Sequence, residues 1–241
     1  MSAAAAQLIE DVVSANHILY NEGVVDGFGH VTARHDRRPD RFLIARSMAP
    51  ALVSADDIME CDLEGTPHDP AARRTYVERF IHSAIYKARP EVMAVVHSHS
   101  PSIVPFSIVS GARLRPVCHM CGFLGENTPV FEIREGFGAA TDLLIRSQAM
   151  GDALAKSLGG ASVALMRGHG SVTVGTSIKQ VVYRAIYAEV NAKLQADAMR
   201  LGEINFLTPG EAATAAAIND EHLERPWELW KLAAQRDRVR A

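Results

Sequence analysis

The chain predicts a mixed α/β domain, and three observations carry that prediction. Its 241 residues can bury one full hydrophobic core. A balance of 48% hydrophobic to 22% charged residues suits a soluble, globular protein. Short apolar runs rich in β-branched residues alternate with spans of helical periodicity, and no linker, repeat or low-complexity tract divides them. One domain over residues 1–241 follows, with a helical segment from about 209 to 241.

Taken in order, residues from about Ala3 to Glu22 place Leu8, Ile9, Val12, Val13, Ile18 and Leu19 at helical spacing, with Gly23 where a C-cap belongs. Gly27-Phe28-Gly29 turns the chain into a strand at His30–Arg34. The polar Asp36–Asp40 cluster then reads as a hairpin turn into Arg41–Ala45. Ser54–Asp57 has a capping-box pattern that starts a helix, and a strand at Ile58–Leu63 and a turn at Glu64-Gly65 follow. Thr75–Arg89 reads as an amphipathic helix stopped by Pro90, so Glu78 and His82, four apart, share one of its faces. Val92–Val96 is a buried strand, and Ser100–Val109 a short helix with Ser100 as cap and Pro101 in first position. Further strands are expected at Leu114–Val117, Pro129–Ile133, Ser162–Met166 and Ser171–Val174. Helices are expected at Thr141–Leu158, Ser177–Leu201 and from Pro209 onward.

Several function classes fall away on composition. A net charge of −3 offers no electrostatic reason to bind nucleic acid or an anionic membrane. No apolar run approaches transmembrane length, and the N-terminal M-S-A-A-A-A-Q-L-I-E-D lacks the basic and long apolar regions of a signal peptide. Cys61, Cys118 and Cys121 are too few for a disulfide framework. Cys118-His-Met-Cys121 has no second cysteine pair to close a zinc site. A cytoplasmic, reduced protein is expected.

Three features point to chemistry. In V-H-S-H-S-P the alternation of a strand puts His97 and His99 on one face, half of a site for a divalent metal. His169, bracketed by Gly168 and Gly170 at a strand end, points into whatever cleft opens there, as a metal ligand or as a histidine satisfied by loop backbone. Glu78 could complete a shell with three histidines, or act as acid/base beside an open coordination position.

Together, E-R-F-I-H-S-A-I-Y-K-A-R-P from Glu78, V-V-H-S-H-S-P around His97 and G-H-G around His169 resemble the class II aldolase/adducin-head family, over roughly Leu8 to Leu207. The resemblance implies a three-layer α/β/α fold around a mostly antiparallel sheet. It also implies a homotetramer with sites at subunit interfaces and one divalent metal ion per subunit. Mn, Zn, Fe and Co all suit such ligands, with Mn or Zn favoured. By motif position His97, His99 and His169 match the metal-binding histidines, and Glu78 matches the glutamate that ligates the resting metal or works as the acid/base. The non-catalytic, adducin-like members lost these ligands; this chain keeps all four.

Where sugar-phosphate members carry small-residue phosphate loops, this chain has Gly29-His30-Val31-Thr32 and Ala45-Arg46-Ser47-Met48-Ala49-Pro50. Met48 and the missing N–H at Pro50 disfavour a phosphate nest. Arg46 is either a surface cation or a planar fork for a carboxylate. These loops, with R-P-V-C-H-M-C-G-F-L-G from Arg115, look most like a decarboxylase branch acting on hydroxypyridine dicarboxylates and dihydroxyphthalates. That resemblance implies non-oxidative, metal-dependent decarboxylation of an ortho-hydroxy aromatic dicarboxylate. Glu78 would then transfer the proton, with His119 a second candidate that either reaches a neighbour's site or packs within its own chain. Arg46, Ser47, His30 and Gly29 would line the substrate site, and His82 would support Glu78 or simply pack. Sugar-phosphate aldol cleavage or epimerisation, and a non-catalytic interaction module, are the alternatives.

Overall fold

The computed structural model describes residues 3–69 and 71–240; the outermost residues of the expected domain, and Pro70, lie outside these. One seven-stranded sheet organises the chain. Its strands are β1 (His30–Arg34), β2 (Arg41–Ala45), β3 (Ile58–Asp62), β4 (Ala94–Ser98), β5 (Val130–Phe131), β6 (Val163–Met166) and β7 (Gly170–Gly175), in spatial order β3-β2-β1-β4-β7-β6-β5. Every pairing is antiparallel except the short parallel one between β5 and β6. The helices are α1 (Ala3–Asn21), α2 (Arg79–Ala88), α3 (Val104–Ile108), α4 (Arg134–Phe137), α5 (Gln148–Leu158), α6 (Ile178–Leu201), α7 (Pro209–Asp220) and α8 (Glu224–Arg240).

Strand alternation sorts the core into two layers. Phe42, Ile44, Val95 and Val172 face α2 and α5, where Ile81, Ile85 and Leu154 meet them. Val31, Ala33, Leu43, Ala94 and Val96 face the other way, onto α1, α6 and Trp227 of α8. The result is the three-layer α/β/α arrangement with a mostly antiparallel sheet. Parity places the site: His97 follows Val95 to the α2 side, and His30 and Thr32 alternate with Val31 and Ala33 to the same side.

Several expected elements come out differently. Helix α2 begins only at Arg79 and Glu78 is its N-cap, because residues 74–76 are tied elsewhere. Ser47 N–H donates to the Arg74 carbonyl, and the Tyr76 hydroxyl donates to Met48 O at 2.5 Å. Helix α5 begins at Gln148, capped by Ser147. Ahead of it, Thr141 Oγ1 accepts from Leu143 N and Asp142 Oδ1 from Leu144 N, local turns that outcompete the helix. Ser100 is no cap; its hydroxyl donates to the Glu189 carboxylate, and α3 starts at Val104. The Ser54–Asp57 capping box heads a single 3-10 turn.

Leu114–Val117 is extended but joins no strand. Two side chains of α6 stand in for a ladder. Asn191 accepts from Val117 N and donates to Arg115 O, and Gln195 accepts from Arg115 N and donates to Arg113 O. The C-terminal segment is two helices, α7 and α8, the first opened by a Thr208/Glu211 capping box. No described helix is long and apolar enough to cross a membrane.

Candidate metal centre and active-site cleft

His97 is the last residue but one of the central strand β4, and His99 follows directly after the strand. His169 sits in the turn between β6 and β7, its N–H bonded to Met166 O. The turn works because Gly170 passes the end of β4 without a side chain: a Cβ there would lie 2.1 Å from Ser98 O. Glu78 enters from the start of α2 and is buried. One donor atom from each of Glu78, His97, His99 and His169 lies within 4.8 Å of all the others.

The donor set fits a divalent cation. His97 Nδ1 is 3.0 Å from Ser171 O, which requires a proton on Nδ1 and leaves the Nε2 lone pair aimed into the cluster. From there His97 Nε2 is 3.2 Å from His99 Nε2, which is 3.0 Å from His169 Nε2. Three converging ring nitrogens cannot all be satisfied by one another's hydrogens. A cation among them accepts every lone pair, and the nitrogen-plus-carboxylate set suits Zn, Mn, Fe or Co. Glu78 Oε2 completes the ring at 3.5 Å from His97 Nε2 and 3.6 Å from His169 Nε2, while Oε1 accepts the Ile145 N–H at 2.9 Å.

The electrostatics agree with that arrangement. Burial lowers the His169 imidazole to about 4, with His97 adding to the effect and Glu78 opposing it. Burial, then His97, also lowers His99. Burial raises the Glu78 carboxyl, but the neighbouring His97 and His169 and the Ile145 N–H outweigh it and hold it at about 2. The resting site sets an ionised carboxylate beside His99 and His169 rings that burial disfavours charging.

Beside the cluster lies a cleft of about 330 Å³, lined by Gly27–His30, Ser47–Ala49, Tyr76–Glu78, His97, His99 and Leu144. That is the size of a small-ligand site. Gly29, at φ +93°, brings the backbone close to β4, where a Cβ would sit 3.1 Å from His97 O and 2.7 Å from Val25 Cγ1. His30 packs against Tyr76 with the rings tilted by 40° and centroids 4.6 Å apart.

The other expected site residues are placed differently. Ser47 lines the cleft, but Arg46 does not. Its Nε is held by Asp57 Oδ1 at 2.6 Å, a partner it would have to trade for a substrate carboxylate. His82 does not bond Glu78. Its Nε2 lies 2.6 Å from His30 Nδ1 and its Nδ1 2.8 Å from Thr32 Oγ1. The late start of α2 is the reason, since Glu78 is not on the helical face that carries His82. His119 is exposed on a separate 3-10 turn packed against α7, where Asn219 donates to its carbonyl, and is not among the cleft residues.

Phe28, Tyr76, Val77 and Leu144 complete the cleft without having been singled out in the sequence; the aromatic between two glycines was the one available signal. Arg34 is a further case. Buried, it donates to the carbonyls of Val92, Tyr86, Arg89 and Pro39, satisfying the C-terminal end of α2 and locking β1 to it. Cys61, Cys118 and Cys121 are all free.

Residues 10–196 match the pattern of the class II aldolase and adducin N-terminal domain. The chain is 38% identical to the decarboxylase tropJ of Talaromyces stipitatus, over 92% of each chain. It is 27% identical to a 3,4-dihydroxyphthalate decarboxylase of Arthrobacter keyseri, over 77% of this chain and 76% of that one. Among solved structures, an L-fuculose 1-phosphate aldolase from Glaciozyma antarctica superposes with a TM-score of 0.79 and 26% identity, over 99% of this chain and 92% of that one. With its fold, its matched span and decarboxylases among its relatives, the chain belongs to the class II aldolase and adducin N-terminal domain family, as a lyase of its decarboxylase branch.

Proposed function

We propose that the chain catalyses divalent-metal-dependent, non-oxidative decarboxylation of an ortho-hydroxy aromatic dicarboxylate of the hydroxypyridine or dihydroxyphthalate type. One observation carries the reading: three imidazole nitrogens and a carboxylate converge beside a cleft walled by Phe28, His30, Tyr76, Met48 and Leu144. The relatives named as decarboxylases, one of them for 3,4-dihydroxyphthalate, support it. Met48 in the lining, with its carbonyl taken by Tyr76, leaves a poor cradle for phosphate.

His97, His99 and His169 would hold the ion, Mn or Zn before Fe or Co, and Glu78 would ligate it only at rest, leaving Oε2 free to carry a proton when substrate is present. When bound, the ion supplies a Lewis acid that stabilises negative charge on a substrate oxygen. The rest falls to the chain's own side chains. The apolar and aromatic walls hold the ring and exclude water. Glu78, ionised at rest, takes the ring-hydroxyl proton on Oε2 and returns it to the ring carbon bearing the leaving carboxylate. The C–C bond then breaks, CO2 leaves, and its bonding pair restores aromaticity; a proton from water completes the phenol. Ser47 meets the second carboxylate, with Arg46 behind it. The working unit is a homotetramer with sites at subunit interfaces, in which the exposed His119 faces a neighbour's site.

The test is CO2 release by metal-loaded protein from dihydroxyphthalates and hydroxypyridine dicarboxylates. Turnover of at least one supports the reading. Inertness toward the whole panel, or turnover of ketose 1-phosphates or ribulose 5-phosphate instead, overturns it.

A further inference from the structure

A line of four buried polar groups runs back from the cleft into the layer between the sheet and α2. His30 Nδ1 is 2.6 Å from His82 Nε2, His82 Nδ1 is 2.8 Å from Thr32 Oγ1, and Thr32 Oγ1 is 2.8 Å from the Tyr86 hydroxyl. His82, Thr32 and Tyr86 are at most 1% exposed, and His30 is 5% exposed at the cleft end. Both rings are buried, and their hydrogen-bond partners among the described residues are each other and a hydroxyl, with no carboxylate to balance a charge, so both are neutral. Each of the three contacts therefore holds one hydrogen, and the arrangements divide by whether His82 carries its own on Nε2 or on Nδ1, where Thr32 Oγ1 can accept from both sides.

Hydrogen accounting selects one direction. The Tyr86 hydroxyl has a proton to place, and Thr32 Oγ1 is the acceptor within reach among the described residues. Tyr86 must then donate to Thr32, Thr32 to His82 Nδ1, and the His82 Nε2–H to His30 Nδ1. With the His82 hydrogen on Nδ1 instead, the hydroxyl hydrogen of either Thr32 or Tyr86 is left without an acceptor in a dry interior. His30 is left with its hydrogen on Nε2, the ring edge away from His82. His30 lies in the cleft lining, and its ring centroid is 5.1 Å from that of His97.

We propose that His30 serves the cleft as a neutral imidazole with its hydrogen fixed on Nε2, donating a hydrogen bond to an anionic substrate oxygen. His82, Thr32 and Tyr86 are the positioning residues that impose that tautomer. The proposal rests on the reading of the cleft as the decarboxylase substrate site. A neutral imidazole is a far weaker acid than an imidazolium, so it can stabilise a developing oxyanion without surrendering its proton. The line ends at Tyr86 beside Arg34, in the interior, so it clamps a tautomer and does not conduct protons to solvent.

The experiment uses zinc-loaded protein labelled with 15N in histidine, with the His30 signals assigned by their loss in His30→Asn. The expected spectrum shows a protonated Nε2 and a bare Nδ1. Thr32→Val should shift His30 toward the Nδ1–H form and lower kcat by about 10–100-fold at unchanged zinc content. Thr32→Ser should restore both. If Thr32→Val does not fold, Tyr86→Phe removes the terminal donor instead and should give a mixture of tautomers. A wild-type His30 carrying its hydrogen on Nδ1, or a folded Thr32→Val or Tyr86→Phe protein with wild-type tautomer and rate, overturns the proposal. The tautomer is read without substrate, so its failure is separate from failure of the decarboxylation assay.

Discussion

His30 and His97 are Cα partners across the β1–β4 ladder, and their rings meet on the α2 side of the sheet with centroids 5.1 Å apart. One strand thus carries a candidate metal ligand and its neighbour a cleft-lining imidazole, in fixed register. The sheet sets the spacing between binding an ion and touching a substrate, and loops are not needed for it.

Glu78 separates a structural ligand from a chemical one. Glu78→Gln keeps an oxygen for the Ile145 N–H but cannot carry a proton. We expect metal content near wild type and a kcat lower by about 10²–10⁴-fold. His97→Ala, His99→Ala and His169→Ala should lose metal and activity together. Metal analysis beside steady-state kinetics checks both expectations. A metal-loaded Glu78→Gln enzyme working at near wild-type rate would move proton transfer away from this residue.

Gly170→Ala probes the contact that brings His169 to His99. Its Cβ would meet Ser98 O at 2.1 Å, between two strands that cannot part without breaking their ladder. The expected cost is about 1–3 kcal/mol or more, with weakened metal retention. Urea unfolding and metal analysis measure the two effects. Wild-type stability with full metal content would mean that the turn relaxes without consequence.

Stability of the metal-free protein should depend on pH through the buried histidines. An unfolded histidine takes up a proton as pH falls through about 6.5, whereas folded His82 resists until about 3 and His169 until about 4. Between these values the unfolded chain binds more protons. Stability is therefore full above pH 6.5 and lost as pH falls below it, by about 1.4 kcal/mol per pH unit for each such proton. Urea titrations at pH 7.5, 6 and 5 should show the decline, and His82→Gln should flatten it. A stability unchanged from pH 7.5 to 5 would contradict the assignment.

Much of this was legible in the sequence, and the exceptions share a cause. Strands β1 to β4, β6 and β7 follow from β-branched runs and turn chemistry, because their pattern is local. His97, His99, His169 and Glu78 are each visible in a short motif, and the fold brings them together. Hydrogen bonds made at a distance were not legible. Thr75–Val77 has helical periodicity but is held to the loop after β2. The Leu143–Ile145 run resembles a helix start but lends an amide to Glu78. The partner of His82 is a strand residue 52 positions away, which no helical-spacing rule can indicate.

The grip of Asn191 and Gln195 on residues 113–117 has a consequence for how such a protein can diversify. The peptide leading to Cys118 and His119 is bonded by two amide side chains, anchored by buried Leu114 and by the Leu207 N–H on Pro116 O, and contributes nothing to the ladder of the sheet. A change in its backbone therefore leaves untouched the hydrogen bonds that set the register of the seven strands. The segment behaves as an exchangeable tool mounted on a fixed handle: its bearing is a pair of side chains, and the handle does not change shape when the tool does.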